Sequence, residues 1–286
     1  MRKILFLLLI AFSFTIFACD PEVEELTDSW DVVQQIGQGT VVLHYVPSDG
    51  FSYEDSDGNI TGVTIDLFRD FIEYTEETHD VEIELNLNPI DRFSEFYQTV
   101  VEGNYGEFGV ANVTITEERR NELAFSPHYM NNIAVLVTHS SIEELGSMAE
   151  ISEAFSGLNG LAFEGTLHES RIREIKNIHK PDLEIDFAHS NNEIIERVSA
   201  GNNYFAYVDI YNYYRARNQG AELQRHSVGD DPGEMFGVIM PHGSDWQEVI
   251  DEFFGHNGGY INSDRYHEIL ETHLGTELAG LLIEAL

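Results

Sequence analysis

Arg119 occupies a place in the sequence that does not suit a cation. Residues 113–127 read VTITEERRNELAFSP, which predicts the end of a strand followed by a helix with Thr116 as its N-cap. Glu117 and Glu118 suit the first turn, whereas a cation there opposes the helix macrodipole. A nearby carboxylate would offset that cost. The carboxylate can belong to the protein or to a bound ligand, and the local sequence leaves both open.

The histidines and the single cysteine do not predict a metal centre. The chain has 12 histidines, and His267 and His273 share a helical pattern but lack the spacing of paired metal ligands. Because Cys19 is the only cysteine, no internal disulfide can form. We therefore expect neither a metal nor another cofactor.

Alternating strand and helix patterns must position the functional residues. Strand character is found at residues 41–46, 81–87, 108–113, 133–137, 161–163, 183–187, 205–208 and 236–240. Helical spacing is found at residues 63–76, 93–101, 168–178, 191–200, 246–254 and 263–274, followed by a short apolar tail. A hairpin turn is predicted at Asp57-Gly58. This order predicts an α/β chain with two successive lobes, in which the last strand and helix return to the first lobe.

The composition supports two lobes and excludes some partners. A chain of 286 residues with 42% hydrophobic content is long for one core and well suited to two. Acidic residues number 51 against 15 lysines and arginines, for a formal net charge of −36. Because a surface with this much negative charge repels phosphate backbones, we expect no nucleic-acid partner. We interpret the excess of carboxylates as halophile-like adaptation to salty surroundings, where ions screen self-repulsion.

The N-terminus predicts export. Arg2 and Lys3 precede the apolar run 4–17, which is too short for a comfortable membrane span but typical of a signal peptide. Residues 16–19 (IFAC) resemble a bacterial lipobox, which implies a signal peptide over residues 1–18 and a lipid anchor on Cys19. The alternative is a secreted protein with an incidental cysteine. Residues 19–36 are predicted to form an acidic tether.

Most of the chain after the tether resembles the family 3 solute-binding proteins, the amino-acid receptors of bacterial ABC transporters. The most specific part is Thr114-Ile-Thr-Glu-Glu-Arg119 followed by Phe125-Ser126, which matches the family's T-I-T-x-E-R signature and its F-S pair. Phe51, the Asp57-Gly58 hairpin and the helix start at residues 62–67 (GVTIDL) also match. The resemblance continues through Gly165-Thr166, residues 204–214, residues 237–244 and Gly259-Tyr260.

The resemblance implies a type II periplasmic binding protein fold, an α/β architecture in which a ligand cleft lies between two lobes joined by two crossovers. Lobe one would comprise residues 37–131 and 237–286, and lobe two residues 132–236. On lobe one, the family's signature arginine binds the ligand α-carboxylate, so Arg119 takes that role, and a guanidinium is well suited to it. Thr114 would add its hydroxyl and amide, and Asn112 would offer a backbone carbonyl to the α-ammonium group.

Lobe two would complete the site. The resemblance implies that Gly165 and Thr166, at a helix N-terminus, donate amides to the carboxylate. It also places Asp209 at the end of a strand as the anchor of the ammonium group. Arg119 and Asp209 have opposite charges and belong to different lobes, which matches a zwitterionic amino acid closing the cleft. The alternative for Asp209 is one more surface carboxylate.

Selectivity for the ligand side chain is less well defined. Family members that bind basic amino acids carry an acid shortly after the first strand, where this chain has His44-Tyr45. Tyr45, Phe51 and Phe93 are candidate walls of the pocket, and aromatic walls favour an uncharged or partly apolar side chain. Each of the three can instead be a core residue.

Two alternatives share the same fold. The resemblance also extends to periplasmic cyclohexadienyl dehydratases, in which case Glu164 would be the acid to examine. A ligand sensor that signals to another membrane protein is the second. We predict a binding protein rather than an enzyme: a monomer in the cell envelope, lipid-anchored, that serves an ABC permease in the inner membrane.

Overall fold

The structure is a computed structural model that describes residues 27–201 and 203–284. The predicted signal peptide, Cys19 and the first part of the tether lie outside the described residues. The helices are α1 (Trp30–Ile36), α2 (Val63–His79), α3 (Phe93–Val101), α4 (Ile151–Ala154), α5 (Leu167–Ile178), α6 (Asn191–Ser199), α7 (Ile210–Asn218), α8 (Gln247–Gly255), α9 (Asp264–Leu274) and α10 (Thr276–Glu284). The strands are β1 (Gln38–Tyr45), β2 (Tyr53–Glu54), β3 (Ile60–Thr61), β4 (Glu82–Pro89), β5 (Glu107–Thr114), β6 (Leu123–Phe125), β7 (Met130–His139), β8 (Asn159–Phe163), β9 (Ile185–Ala188), β10 (Tyr204–Asp209), β11 (Leu223–Arg225) and β12 (Asp231–Pro241).

One mixed sheet runs through the described part of the molecule. Its strands follow the order β4-β1-β5-β12-β7-β10-β8-β9, with β6 paired to β12 and β11 paired to β7. At each end the pairs β1/β4, β1/β5, β8/β10 and β8/β9 are parallel, as expected for strands joined by helical crossovers. The two central strands, β7 and β12, pair antiparallel with each other and connect the halves.

We call the two halves of this sheet, with their helices, lobe one (from β4 to β5) and lobe two (from β10 to β9). The predicted lobe boundaries at residues 131/132 and 236/237 fall inside β7 and β12, the strands shared by both halves. The division into those residue ranges stays a prediction.

The predicted elements agree with the structure wherever apolar spacing was clear. Helix α3 spans Phe93–Val101 as predicted, and α2 begins at Val63 because Leu67, Phe68 and Phe71 form one buried face. The apolar tail is a helix, α10, with Leu278, Ala279 and Leu282 buried in the lobe-one core. Strand β12 begins at Asp231, five residues before the predicted start, because its first residues pair with β7.

The predicted tether differs from the structure at residues 30–36. This segment is helix α1, with Trp30 and Val33 buried in the lobe-one core. The Trp30 ring lies 5.0 Å from that of Trp246, and the Asp245 carboxylate accepts 3.0 Å hydrogen bonds from the amides of Trp30 and Asp31. Burial of a tryptophan outweighs the acidic composition of the segment, so any tether must end before it. In the described part of the chain, no helix is both long and apolar enough to cross a membrane.

Candidate functional site

A cavity of about 100 Å³ lies in the cleft between the lobes. A volume of roughly 10–15 Å³ suffices for one water by the same measure, so the cavity suits a small solute rather than a polymer. Seven of the residues predicted from the sequence line it: Phe51, Phe93, Asn112, Thr114, Arg119, Thr166 and Asp209. These residues come from both lobes. They are far apart in the sequence, and the fold of the sheet brings them together.

Arg119 lies in the cleft against two aromatic rings. Its guanidinium carbon is 5.7 Å from the Phe93 ring centroid and 5.5 Å from that of Tyr97, and Nη1 donates a 3.0 Å hydrogen bond to the carbonyl of Thr114. Among the described residues, no carboxylate forms an ion pair with it. Burial lowers the pKa of Arg119 from its ordinary value, although nearby charged groups, including Glu234, partly oppose this. The guanidinium is therefore desolvated and, among the described residues, has no directly paired carboxylate.

The helix predicted after Thr116 does not form. The segment makes a single 3-10 turn, Arg119–Asn121, and then enters β6, which pairs with β12. Thr116 still acts as a local cap, since its hydroxyl oxygen accepts a 3.1 Å hydrogen bond from the Arg119 amide. One 3-10 turn has almost no macrodipole, so the dipole argument for a partner of Arg119 was wrong. The reason to expect an anionic partner for Arg119 is instead the desolvation of its guanidinium in the cleft.

Asn112 lines the cleft and has an unusual backbone conformation. Its φ is +52°, in the left-handed region that asparagine tolerates better than most residues. The side chain is fully engaged: Nδ2 donates to the Tyr211 hydroxyl at 2.7 Å, and Oδ1 accepts from the Tyr129 hydroxyl at 2.8 Å. These bonds hold the strand end in place, and the role predicted for the Asn112 backbone carbonyl stays a prediction. Burial raises the pKa of the Tyr211 phenol well above its ordinary value, so its proton stays in place for hydrogen bonding.

Asp209 lies at the end of β10, on the opposite wall from Arg119, and only 8% of it is exposed. Its Oδ1 accepts a 2.6 Å hydrogen bond from Asn132 and lies 3.3 Å from Nε2 of His168. Asp209 is therefore a buried, partly compensated carboxylate of the cleft rather than a surface residue.

Glu234 is a second buried acid of the cleft, and the sequence analysis missed it. Its Oε2 accepts a hydrogen bond from Asn132, and its Oε1 lies 2.6 Å from Nη2 of Arg171. The predicted strand began at Phe236, so Glu234 was assigned to a loop. In the structure it pairs with Asn132 across β12 and β7. His168, next to Asp209, was also missed, although it stands only two residues after Thr166.

Thr166 and Gly165 are placed differently from each other. Thr166 lines the cleft and caps α5, its hydroxyl oxygen accepting from the His168 amide at 3.2 Å. Gly165 is not among the lining residues, and its amide donates at 2.9 Å to Glu169 Oε2. The Thr166 amide donates to the Phe163 carbonyl at 3.2 Å. Both amides predicted to bind the ligand carboxylate are thus committed within the protein.

Two other sequence candidates lie outside the cleft. Tyr45 belongs to the lobe-one core, because the last five residues of β1 are all buried, and it does not line the cavity. The Glu164 side chain is 43% exposed and pairs with Arg92 and His189, at 3.3 and 3.0 Å. Phe51 and Phe93 do line the cleft, as the aromatic-wall prediction required.

The lobes contact each other at both sides of the cavity. At one side Arg92 of lobe one reaches Glu164 of lobe two. At the other side Arg215 donates a 2.7 Å hydrogen bond to the Asp49 carbonyl, and Asn192 donates at 3.3 Å to the Asp49 carboxylate. Within residues 27–201 and 203–284, no group of three or more His, Cys, Asp or Glu side chains is arranged to hold a metal ion.

The fold and the cleft are those of a two-lobed binding protein, and a family comparison agrees. The profile of the bacterial extracellular solute-binding proteins, family 3, matches residues 41–276, so the chain belongs to that family. No curated protein matches the chain by sequence comparison.

Similar solved structures are numerous. The substrate-binding protein of an ABC uptake transporter from Streptococcus pneumoniae, with bound histidine, has a TM-score of 0.68 and 21% identity, covering 86% of this chain and 96% of its own. A putative L-cystine ABC transporter protein from Listeria monocytogenes has a TM-score of 0.66 and 12% identity, covering 83% and 97%. An arginine-, lysine- and histidine-binding protein from Geobacillus stearothermophilus has a TM-score of 0.63 and 18% identity, covering 83% and 96%. At these identities the likeness establishes the type II binding-protein fold.

Proposed function

We propose that this chain captures a small zwitterionic ligand, most directly an amino acid, outside the cytoplasm and delivers it to an ABC transporter permease. The observation that carries the proposal is the guanidinium of Arg119, desolvated in the cleft without an anionic partner among the described residues. A ligand carboxylate would complete it, since guanidinium and carboxylate form bidentate, charge-assisted hydrogen bonds.

The opposite wall supplies the complementary charge. Asp209 carries a carboxylate buried at the cleft, and an α-ammonium group is the natural partner for it. A ligand with both groups would therefore bridge the lobes and favour their closure. The solved relatives described as an arginine-, lysine- and histidine-binding protein, as bound to histidine, and as a putative L-cystine transporter support this kind of ligand by analogy.

Three of the other lining residues favour an uncharged ligand side chain. Phe51 and Phe93 provide apolar walls. Asn191 also lines the cleft, and its buried Oδ1 has no hydrogen-bond partner among the described residues. An unsatisfied acceptor of this kind favours a ligand that donates a hydrogen bond, such as an amide or a hydroxyl.

We further propose that the protein is a lipid-anchored monomer of the cell envelope. The proposal rests on the lipobox-like residues 16–19 and on the family's extracellular location. Substitution of Cys19 by serine is expected to move the protein from the membrane fraction to the soluble fraction of cells. Retention of the Cys19→Ser protein in the membrane fraction would contradict the anchor.

An enzyme on this fold is less well supported. The acid considered for a dehydratase, Glu164, is half-exposed, paired with Arg92 and His189, and not part of the cavity lining. A general acid must reach its substrate and usually owes its pKa to burial. Incubation with prephenate or arogenate is expected to leave both compounds unchanged.

Thermal unfolding of the purified protein tests the receptor function. In high salt, each of the twenty L-amino acids and a set of dicarboxylates is added singly, because a ligand that binds only the native state raises the melting temperature. We expect at least one amino acid to raise it and Arg119→Ala to abolish the rise. Arg120→Ala is the matched control, since Arg120 packs over Phe125 outside the cleft lining. No rise with any amino acid would overturn the proposed ligand class.

A further inference from the structure

The two acids of the cleft belong to one buried polar network. Asn132 donates hydrogen bonds from Nδ2 to both Asp209 and Glu234. All three residues are at most 8% exposed. Asn132 and Glu234 are register partners on β7 and β12, and Asp209 pairs with Ala134 on the other side of β7. Three adjacent strands therefore hold the two carboxylates side by side.

Arg171, on α5, compensates this concentration of negative charge. Its Nη2 lies 2.6 Å from Glu234 Oε1 and 2.7 Å from Asp231 Oδ2. Burial by itself lowers the pKa of Arg171, but Glu234 and Asp231 outweigh burial, and the pKa is raised overall. Glu234 is thus neutralised within the protein.

The same arginine also contacts His168, and this contact determines where the imidazole proton lies. Nη1 of Arg171 is 3.2 Å from Nδ1 of His168. Because a guanidinium has only donors, Nδ1 must accept, which leaves the ring proton on Nε2. Nε2 in turn lies 3.3 Å from Oδ1 of Asp209. Arg171, His168 and Asp209 therefore lie in a row, with a hydrogen bond from Arg171 to His168 and a 3.3 Å polar contact between the protonated Nε2 and Asp209.

We propose that His168 is a positioning residue for ligand binding. It places a protonated Nε2, in the tautomer set by Arg171, 3.3 Å from Oδ1 of Asp209, and this contact holds the carboxylate in position for the ammonium group of the ligand. The proposal rests on the proposed function, because it assigns an ammonium group to Asp209. His168 itself is 6% exposed and sits in the first turn of α5, where the Thr166 cap fixes its backbone.

A positioning role is specific to one group of the ligand. Removal of the imidazole takes one polar neighbour from Asp209 and leaves Asn132 and Tyr211 beside it, so the carboxylate is held less firmly for an ammonium group. The carboxylate end, at Arg119, is on the other lobe and is unaffected. A merely structural role of His168 in packing α5 would instead weaken every ligand equally.

Binding measured by calorimetry on the full chain tests this difference. The probes are four pairs, each an L-amino acid and the acid that lacks its ammonium group: leucine with 4-methylpentanoate, glutamine with glutaramate, phenylalanine with 3-phenylpropanoate, and histidine with imidazolepropionate. For any pair that the wild type binds, we expect His168→Leu to weaken the amino acid by roughly tenfold or more and the analogue by less than about twofold. His168→Gln, which keeps an N–H donor, is expected to recover most of the loss. Equal weakening of both members of a pair would overturn the proposal, as would no weakening of either.

A second measurement needs no ligand. Nitrogen-15 NMR of histidine-labelled protein, with His168 assigned through the His168→Gln spectrum, reports the tautomer directly. We expect the proton on Nε2 in the wild type and a loss of that preference in Arg171→Met. A proton on Nδ1 in the wild type would overturn the inference. If the wild type bound none of the twenty amino acids, the proposed function would fail, and the ligand-positioning role with it, while the tautomer would still show whether Arg171 directs the His168 proton to Nε2.

Discussion

The two walls of the cleft carry their charges in different ways. On lobe one, Arg119 packs against two aromatic rings, forms no ion pair with a carboxylate of the described residues, and has its pKa lowered by burial. On lobe two, Arg171 is saturated by Glu234 and Asp231, which raise its pKa despite burial. Under the proposed function a ligand carboxylate would pair with Arg119, whereas Arg171 is already paired with carboxylates of the protein. Burial of an arginine therefore does not by itself indicate a binding site. A buried arginine that has no carboxylate partner in the protein is the better indication.

The largest expected effect follows from removal of the lobe-two arginine. Arg171→Met leaves Glu234 buried without a cation, which should lower the free energy of unfolding by about 3 kcal/mol. Urea unfolding of the ligand-free protein measures it. The control is Arg173→Met, which removes a half-exposed arginine paired with Glu169 and should change stability by less than about 0.5 kcal/mol. If Arg171→Met and Arg173→Met lowered the free energy of unfolding equally, the buried pairing of Arg171 would not be the cause, and the contrast between the two walls would fail.

Acid is expected to weaken lobe two through His226. This ring is buried, accepts a 3.1 Å hydrogen bond from the Leu145 amide at Nδ1, and contacts the Thr138 hydroxyl at 2.8 Å. Burial lowers its pKa to about 4. Because the ordinary histidine pKa is about 6.5, the unfolded chain takes up the proton first, and stability falls as the pH falls between these values.

The expected loss between about pH 7 and about pH 5 is about 2 kcal/mol, and His226→Gln should show a flatter profile. Carboxylates with lowered pKa, such as Asp66 and Glu107, lose their contribution only at lower pH. Urea unfolding at several pH values checks this. Parallel profiles for the wild type and His226→Gln would contradict the assignment.

A smaller effect is expected from the contact between the lobes. Arg92→Ala removes the pair with Glu164, whose side chains are 54% and 43% exposed, and should weaken amino-acid binding by less than about fivefold. The loss should shrink in molar salt, which screens exposed charges. Arg69→Ala is the control, because Arg69 pairs with Asp66 within lobe one. A loss of affinity in the control as large as in Arg92→Ala would show that the contact between the lobes is not the cause.

The smallest effect on stability is expected at Arg119, to which the proposed function assigns the ligand carboxylate. Arg119→Met removes a desolvated cation that has no anionic partner among the described residues, so the free energy of unfolding without ligand should change by less than about 0.5 kcal/mol or rise. The same variant should no longer be stabilised by amino acids. Destabilisation as large as that of Arg171→Met would mean that Arg119 is structural, and the contrast between the walls would fail.

Much of the architecture could be predicted because apolar spacing is local. The spacing of Leu67, Phe68 and Phe71 predicted α2, and that of Phe93, Phe96 and Val100 predicted α3. In each case the residues of the buried face lie within two or three helical turns of one another, so a short stretch of sequence contains the whole pattern. The helix predicted after Thr116 failed because the pairing of Leu123–Phe125 with β12 is a long-range choice. Residues 30–36 were misjudged for the same reason, since Trp30 finds its partner Trp246 at the other end of the chain.

Within the site, the residues of a contiguous motif were recognisable and those of the network were not. The motif of residues 114–119 pointed to Arg119, and the strand end pointed to Asp209. Glu234 and Asn132 are 102 residues apart and meet only because β7 and β12 pair. His168 and Arg171 carry no signal until Asp209 and Glu234 are placed beside them.

The sequence by itself determined the α/β class, the two-lobed family, the charge of the surface and the cation of the cleft. These depend on composition, local periodicity and a short contiguous motif. The tertiary structure alone decided which charges are compensated: Arg171 by Glu234, Asp209 in part by His168 and Asn132, and Arg119 by no carboxylate of the described chain. The physical reason is that desolvation and pairing depend on distances of a few ångströms between residues far apart in the chain, and those distances exist only in the folded sheet.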